Sequence, residues 1–233
     1  LLDTVRECVE MRPDRIALFG YAHVPWMAKK QRMIDEAALP DSAARQEQAS
    51  AASDALCRAG YVPIGLDHFA LPDDDMAKAA ANGTLRRNFQ GYTTDTAQAL
   101  LGVGATSIGR TPSGFVQNIA ETGAWARTVD AGVLPIAKGR ALVGQDAMRG
   151  HVIERLMCAG TVDLAAVGRK FGAGSDWFAE YDNDLSDLAE DGLIKRSDGV
   201  IALTAEGAPL VRIVASVFDE YLTRGTARHA VAV

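Results

Sequence analysis

The 233-residue chain is 48% hydrophobic and 23% charged, the balance of an ordinary packed protein and not of a disordered or fibrous one. Its net charge of -6 argues against a chain built chiefly to grip phosphate backbones, which needs clustered Lys and Arg. No apolar run approaches the roughly 20 residues of a membrane span and nothing near Leu1 resembles a signal peptide, so a cytoplasmic protein with no membrane partner is expected.

The chain opens on LLDTVRECVEM, with apolar residues at 1, 2, 5, 8 and 9, a helical spacing already under way at Leu1. The natural N-terminus is therefore expected to lie upstream. RIALFGY, after Pro13, reads as a short buried strand. DSAARQEQASAASDALCRAG reads as a helix capped by Asp41 or Ser42 and ended by Gly60. YVPIGLDHF is strand-like, and a helix follows, opened by the carboxylates of Asp73, Asp74 and Asp75 at its positive end and closed by Gly83. Next comes RRNFQGYTTDT, residues 86–96, too polar for a core element. ALLGVGATSIG reads as a Gly-punctuated strand, followed by a long helix over residues 114–131. Strands alternating with helices imply right-handed βαβ units and a parallel sheet, either doubly wound or part of a barrel.

From about residue 136 the pattern changes. Helices are expected over 145–158, 163–171 and 176–191, then two β arms, LIKRSDGVIALT, around a Ser-Asp-Gly turn. A last helix over 204–222 carries Leu210, Ile213, Val214, Val217, Phe218 and Leu222 on one stripe. Three helices, a hairpin and a helix describe a winged-helix-like module over 136–233, separate from an α/β part over 1–135. The helix before the wing, SDWFAEYDNDLSDLAEDG, has seven carboxylates and no Lys or Arg, and residues 140–233 hold ten basic against fourteen acidic side chains, a balance of -4. Such a surface repels phosphate, so no nucleic acid partner is expected.

Three polar clusters stand in the first part: GYAHVPW, LDHFALPDDD and RRNFQGYTTDT. Taken singly, His23 and His68 read as core histidines, Tyr21, Trp26, Phe69, Phe89 and Tyr92 as packing aromatics, and Arg86 with Arg87 as a wet surface pair. Together they are costly to bury without a ligand or a network, and ligand sites of α/β folds gather beyond strand ends. One shared rim is the reading that accommodates all three. Cys8, Cys57 and Cys158 lie 49 and 101 residues apart with no CxxC pair, and read as small buried hydrophobes with no metal site.

GYAHVPW, IGLDHFALPDD and above all RRNFQGYTTDT followed by LLGVGATSI resemble the oxygen-independent coproporphyrinogen III oxidases (coproporphyrinogen dehydrogenases) of the radical S-adenosylmethionine (SAM) superfamily. The resemblance runs along nearly the whole chain. It implies the later strands and helices of a partial TIM-like barrel followed by that family's C-terminal domain. It also implies an oxidative decarboxylation in haem biosynthesis, in which two propionates of coproporphyrinogen III become the vinyl groups of protoporphyrinogen IX. The implied cofactors are SAM and a [4Fe-4S] cluster, with an external electron donor and acceptor, in a protein that is a monomer when intact.

The family's CxxxCxxC cluster motif is not in this sequence, so the chain is expected to be a C-terminal piece that binds no cluster and turns nothing over alone. By the resemblance, Ala22 and Ile108 match contacts to the SAM bound at the cluster, and Phe89 and Gln90 match residues near a second SAM. Catalytic residues are not assigned, and no residue is expected to ligate metal. Arg86 and Arg87 are offered as partners of substrate carboxylates on guanidinium chemistry alone. Other readings are a radical SAM haem chaperone, a winged-helix regulator and a non-catalytic short paralogue.

Overall fold

The computed structural model describes residues 1–174 and 176–222. Helix α1 (Leu2–Met11) packs on α2 (Ser42–Arg58). The Asp41 carboxylate caps α2 by accepting from Ala44 N–H at 2.8 Å. Between them β1 (Arg15–Ala17) enters a three-stranded sheet with β2 (Val62–Ile64) and β3 (His68–Ala70), in the order β1-β3-β2. Helix α3 (Asp75–Ala81), capped by Asp74, follows.

The parallel sheet expected from the sequence is not what forms: every ladder among the described residues is antiparallel. The physical reason is Gly65, whose φ of +58° folds YVPIGLDHF into two strands. β3 then runs back between β1 and β2, which point the same way on either side of it. The strand-helix alternation survives only as that shared direction.

RRNFQGYTTDT, too polar for a core element, holds a hairpin: β4 (Arg86–Asn88) pairs with β5 (Gly91–Thr93). The strand expected over ALLGVGATSIG is confined to its end. Leu100 makes an isolated bridge to Arg110, and β6 (Ile108–Thr111) follows. The long helix expected over 114–131 is also corrected. Its first part is β7 (Gly114–Asn118), paired with β6 and with β8 (Ile136–Ala141), and only α4 (Thr122–Asp130) is helical. Cross-strand pairing of Phe115 and Val116 outweighs their helical spacing.

The remaining chain builds one core. Helices α5 (Asp146–Ala159), α6 (Leu164–Phe171), α7 (Asp182–Glu190) and α8 (Val211–Ser216) surround a sheet of β9 (Thr161–Asp163), β10 (Ile194–Ser197) and β11 (Val200–Leu203), ordered β10-β11-β9. β8 and β9 are strands that the helical reading of this region missed. The stretch 176–191 divides into a 3-10 turn, Trp177–Tyr181, and α7. Likewise 204–222 divides into a 3-10 turn, Ala208–Leu210, and the short α8. The β10–β11 turn places Asp198 and Gly199 at φ +50° and +79°, the two left-handed residues of a tight hairpin. No helix among the described residues is long and apolar enough to cross a membrane.

Candidate functional site

The β4–β5 hairpin is held at its base and free at its tip. Tyr92, buried on β5, donates its hydroxyl hydrogen to Met157 O at 3.0 Å on α5 and accepts from Leu66 N–H at 3.0 Å. Burial pushes its phenol above the ordinary value. A Cβ at position 65 would lie 2.1 Å from that ring, so Gly65 serves both the sharp turn and the close approach. Arg86 Nε donates to Glu154 Oε1 of α5 at 2.8 Å, and the same oxygen accepts from Arg87 N–H at 3.2 Å. The Glu154 bond raises the Arg86 pKa further.

At the tip, Asn88 Oδ1 accepts from Gln90 N–H at 2.8 Å, fixing the turn. This leaves Phe89 57% exposed and the Gln90 amide outward. Gly91 turns back at φ +125°, directly against His68: a Cβ there would be 3.4 Å from His68 Nε2. The His68 ring meets Tyr92 edge-on at 5.2 Å and is oriented by Asp67, whose Oδ1 lies 2.7 Å from Nδ1. Phe89 also meets Phe115 of β7 edge-on at 5.3 Å, which ties the hairpin to the sheet that holds Ile108.

A row of contacts thus links the three polar clusters in part. Leu18 N–H donates to Asp67 O at 2.7 Å, so residues 20–26 leave β1 beside Asp67. Asp67 holds His68, His68 touches Gly91 and Tyr92, and Phe89 touches Phe115. Ile108 stands half-buried in β6, opposite Gln117.

Ala22 is placed differently. Its carbonyl accepts from Gln31 Nε2 at 3.1 Å, and its neighbours Tyr21 and His23 join to each other, with His23 Nε2 3.1 Å from Glu36. Among the described residues no hydrogen bond, ion pair or ring contact joins Ala22 to Gln90 or Ile108. Arg110, beside Ile108, was not singled out in the sequence. It lines one concavity with Arg86 and Arg87, a neighbourhood that only the β6 pairing discloses.

The cysteines separate by environment. Cys57 is exposed, Cys8 half-buried and Cys158 buried, which corrects the uniform buried reading. Burial pushes the Cys158 thiol up to about 11, so it stays protonated and ligates poorly. Among the described residues no three His, Cys, Asp or Glu side chains are grouped to hold a metal.

The comparisons with known proteins agree on one family. Residues 142–210 match the model described as the HemN C-terminal domain. The chain is 47% identical over 232 residues to the oxygen-independent coproporphyrinogen III oxidase of Bradyrhizobium diazoefficiens, covering 100% of this chain and 52% of that protein. It is 42% identical over 223 residues to the anaerobic coproporphyrinogen III oxidase 1 of Cereibacter sphaeroides, 96% of this chain and 49% of the relative. A solved structure titled as coproporphyrinogen III oxidase (HemN) from Escherichia coli, a radical SAM enzyme, superposes with a TM-score of 0.89 at 36% identity, over 95% of this chain and 51% of that one. The chain spans about half the length of the relatives it matches.

Proposed function

We propose that this chain belongs to the oxygen-independent coproporphyrinogen III oxidases as the C-terminal half of such an enzyme, and that it supplies part of the rim that faces cofactor and substrate. The reaction assigned to the whole protein is the oxidative decarboxylation of coproporphyrinogen III to protoporphyrinogen IX, drawing on an electron donor and acceptor. The observation that carries this reading is the hairpin of β4 and β5. Its base is bolted to α5 through Tyr92 and Arg86, while the turn set by the Asn88–Gln90 bond leaves the Phe89 ring and the Gln90 side chain exposed.

The two implied cofactors fare differently against these residues. The cluster does not fit them: three scattered cysteines, one buried with a raised pKa, cannot supply adjacent thiolates. SAM fits the hairpin tip, where the exposed Phe89 ring offers a stacking face and the Gln90 amide can both donate and accept. When bound, SAM supplies the radical chemistry of the family. For the other SAM, the one assigned to the cluster, Ile108 would provide half-buried apolar cover. Ala22 would contribute through its backbone N–H, because its carbonyl is already engaged by Gln31.

What this chain's own groups do is hold and orient. Asp67 fixes the His68 ring, and His68 supports Gly91 at the turn. Glu154 fixes Arg86 and the β4 backbone. A hairpin so braced fixes the backbone at Gln90, which lowers part of the cost of positioning its amide. Arg86 and Arg87 are assigned to substrate carboxylates, with Arg86 already sharing its guanidinium with Glu154.

Residues 1–135 are read as later strands and helices of a partial TIM-like barrel, with β8 counted with them because it pairs with β7. The rest is read as a winged-helix-like domain that binds no nucleic acid, in a cytoplasmic protein that is monomeric when intact. The test is Gln90→Ala in a full-length oxidase carrying this sequence as its C-terminal half. Product formation should fall at least tenfold with the cluster absorbance unchanged. Lost cluster absorbance, or undiminished turnover, would contradict the assignment.

A further inference from the structure

Beside the base of the β4–β5 hairpin lies a shallow concavity lined by Arg86, Arg87, Thr93, Asp95, Gln98 and Arg110. Its charges are not balanced. Arg86 is committed to Glu154 at 2.8 Å, and the Asp95 carboxylate accepts from Ala97 N–H at 2.8 Å. Arg87 lies with its guanidinium carbon 5.7 Å from the Tyr92 ring centre, and its Nε is buried with no hydrogen-bond partner. Arg110 makes no side-chain hydrogen bond or ion pair among the described residues. A buried guanidinium nitrogen without an acceptor is costly, and two unpaired cations on one concave wall repel each other unless an anion joins them.

We propose that Arg87 and Arg110 form a carboxylate-binding subsite that takes one propionate arm of the tetrapyrrole. This rests on the functional reading above and adds to it a residue, Arg110, and a division of labour. Arg86 braces the hairpin on α5, whereas Arg87 and Arg110 face the ligand. A guanidinium presents paired N–H donors that match a carboxylate. Two of them around one arm would select an acidic side chain over an ester or alkyl group. The same chemistry could receive the methionyl carboxylate of SAM, so the test must separate the two sources.

The experiment measures binding to this chain by fluorescence titration with coproporphyrin III, its tetramethyl ester and, by calorimetry, SAM. It uses the wild-type chain, Arg110→Gln, Arg110→Lys, Arg87→Gln and a distant control, Arg58→Gln, each checked for native circular dichroism. The proposal expects coproporphyrin affinity to fall about tenfold or more in Arg110→Gln and Arg87→Gln, the loss of one charge-assisted hydrogen-bonding group. Arg110→Lys should fall less, Arg58→Gln should not change, and the tetramethyl ester should bind weakly to all alike.

Wild-type binding with no loss in Arg110→Gln overturns the subsite and leaves the functional reading standing. Weakened SAM binding with unchanged coproporphyrin binding assigns the arginines to the cofactor and overturns the proposal. Failure of the wild-type chain to bind coproporphyrin III overturns the proposal, while the functional reading is tested separately by Gln90→Ala in the full-length oxidase.

Discussion

The two halves of the molecule stabilise themselves differently. The C-terminal module buries fifteen residues in one cluster running from Met148 to Phe218, with contributions from all four of its helices and all three of its strands. The preceding part has two smaller clusters, one centred on Leu56 and Tyr61 and one on Ile64 and Leu85, and the second borrows Cys158 from α5. The sheet of β6, β7 and β8 contributes to none of them. β8 is exposed along its whole length, α4 has no buried residue, and Leu101, Val103 and Leu134 stand open to solvent. One part holds a single larger cluster, and the other holds two smaller ones beside an open sheet. A ligand-facing rim belongs on the second kind of structure, where loops are free to carry polar groups while a neighbouring core carries the stability.

The sharpest way to break this contrast is Phe218→Ala. The side chain is 1% exposed in the larger core, so truncation should cost about 3–5 kcal/mol, read as a lower urea midpoint for the whole chain. Next comes Tyr92→Phe, which deletes the hydroxyl that joins Met157 O to Leu66 N–H and leaves both unsatisfied. It should cost about 1–3 kcal/mol in thermal unfolding while loosening the hairpin, and a change near zero would detach the rim from the core. Glu154→Gln, which removes the charge from a partly buried ion pair with Arg86, should cost about 1–2 kcal/mol. At the small end, Leu134→Ala in the open sheet should stay within about 0.5 kcal/mol. A cost comparable to Phe218→Ala would show the sheet to be part of the folding core.

Acid should act on both halves. In the module, Asp146 accepts from Val143 N–H and from the Tyr221 hydroxyl and pairs with Arg149, so its carboxyl titrates below the ordinary carboxylate range. In the first half, Asp74 loses something to burial, yet its bonds to Arg15 and Met76 N–H bring it below that range too. Folded values below the unfolded ones mean the stabilisation is complete above about pH 4 and is lost as pH falls through the folded values. Asp146→Asn should flatten the acid limb of the stability profile. An unchanged limb would remove Asp146 from the account. Thiol labelling at pH 8 gives a milder check: exposed Cys57 should react in the native state, and Cys158 only on unfolding.

Two hairpins show what the sequence discloses and what it withholds. The β10–β11 turn was legible because Ser-Asp-Gly places two left-handed residues between β-rich arms, a local signal with a local cause. The β4–β5 turn has no such signal. Phe89 and Gln90 turn at negative φ, and the left-handed residue is Gly91, after the turn. What makes the segment a hairpin is tertiary: Tyr92 wedged against Gly65, and Glu154 reaching Arg86 from 68 residues away. Helices α1, α2 and α3 were legible from caps and spacing. The β6–β7–β8 sheet was not: β6 and β7 join through a short turn at Pro112 and Ser113, β7 lies in a stretch that was read as helix, and β8 reaches β7 only across α4. Among the candidate site residues, Phe89, Gln90 and Arg87 were visible as a motif, while Arg110 joins their neighbourhood through its bridge to Leu100.

Hydrogen–deuterium exchange of this chain, alone and with SAM plus coproporphyrin III, tests the central claim most directly. The account predicts slowed exchange at residues 86–96 and 108–111, extending to 20–26, with the β10–β11 hairpin unchanged. Slowing confined to residues 194–203, or no slowing anywhere in the chain, would contradict it.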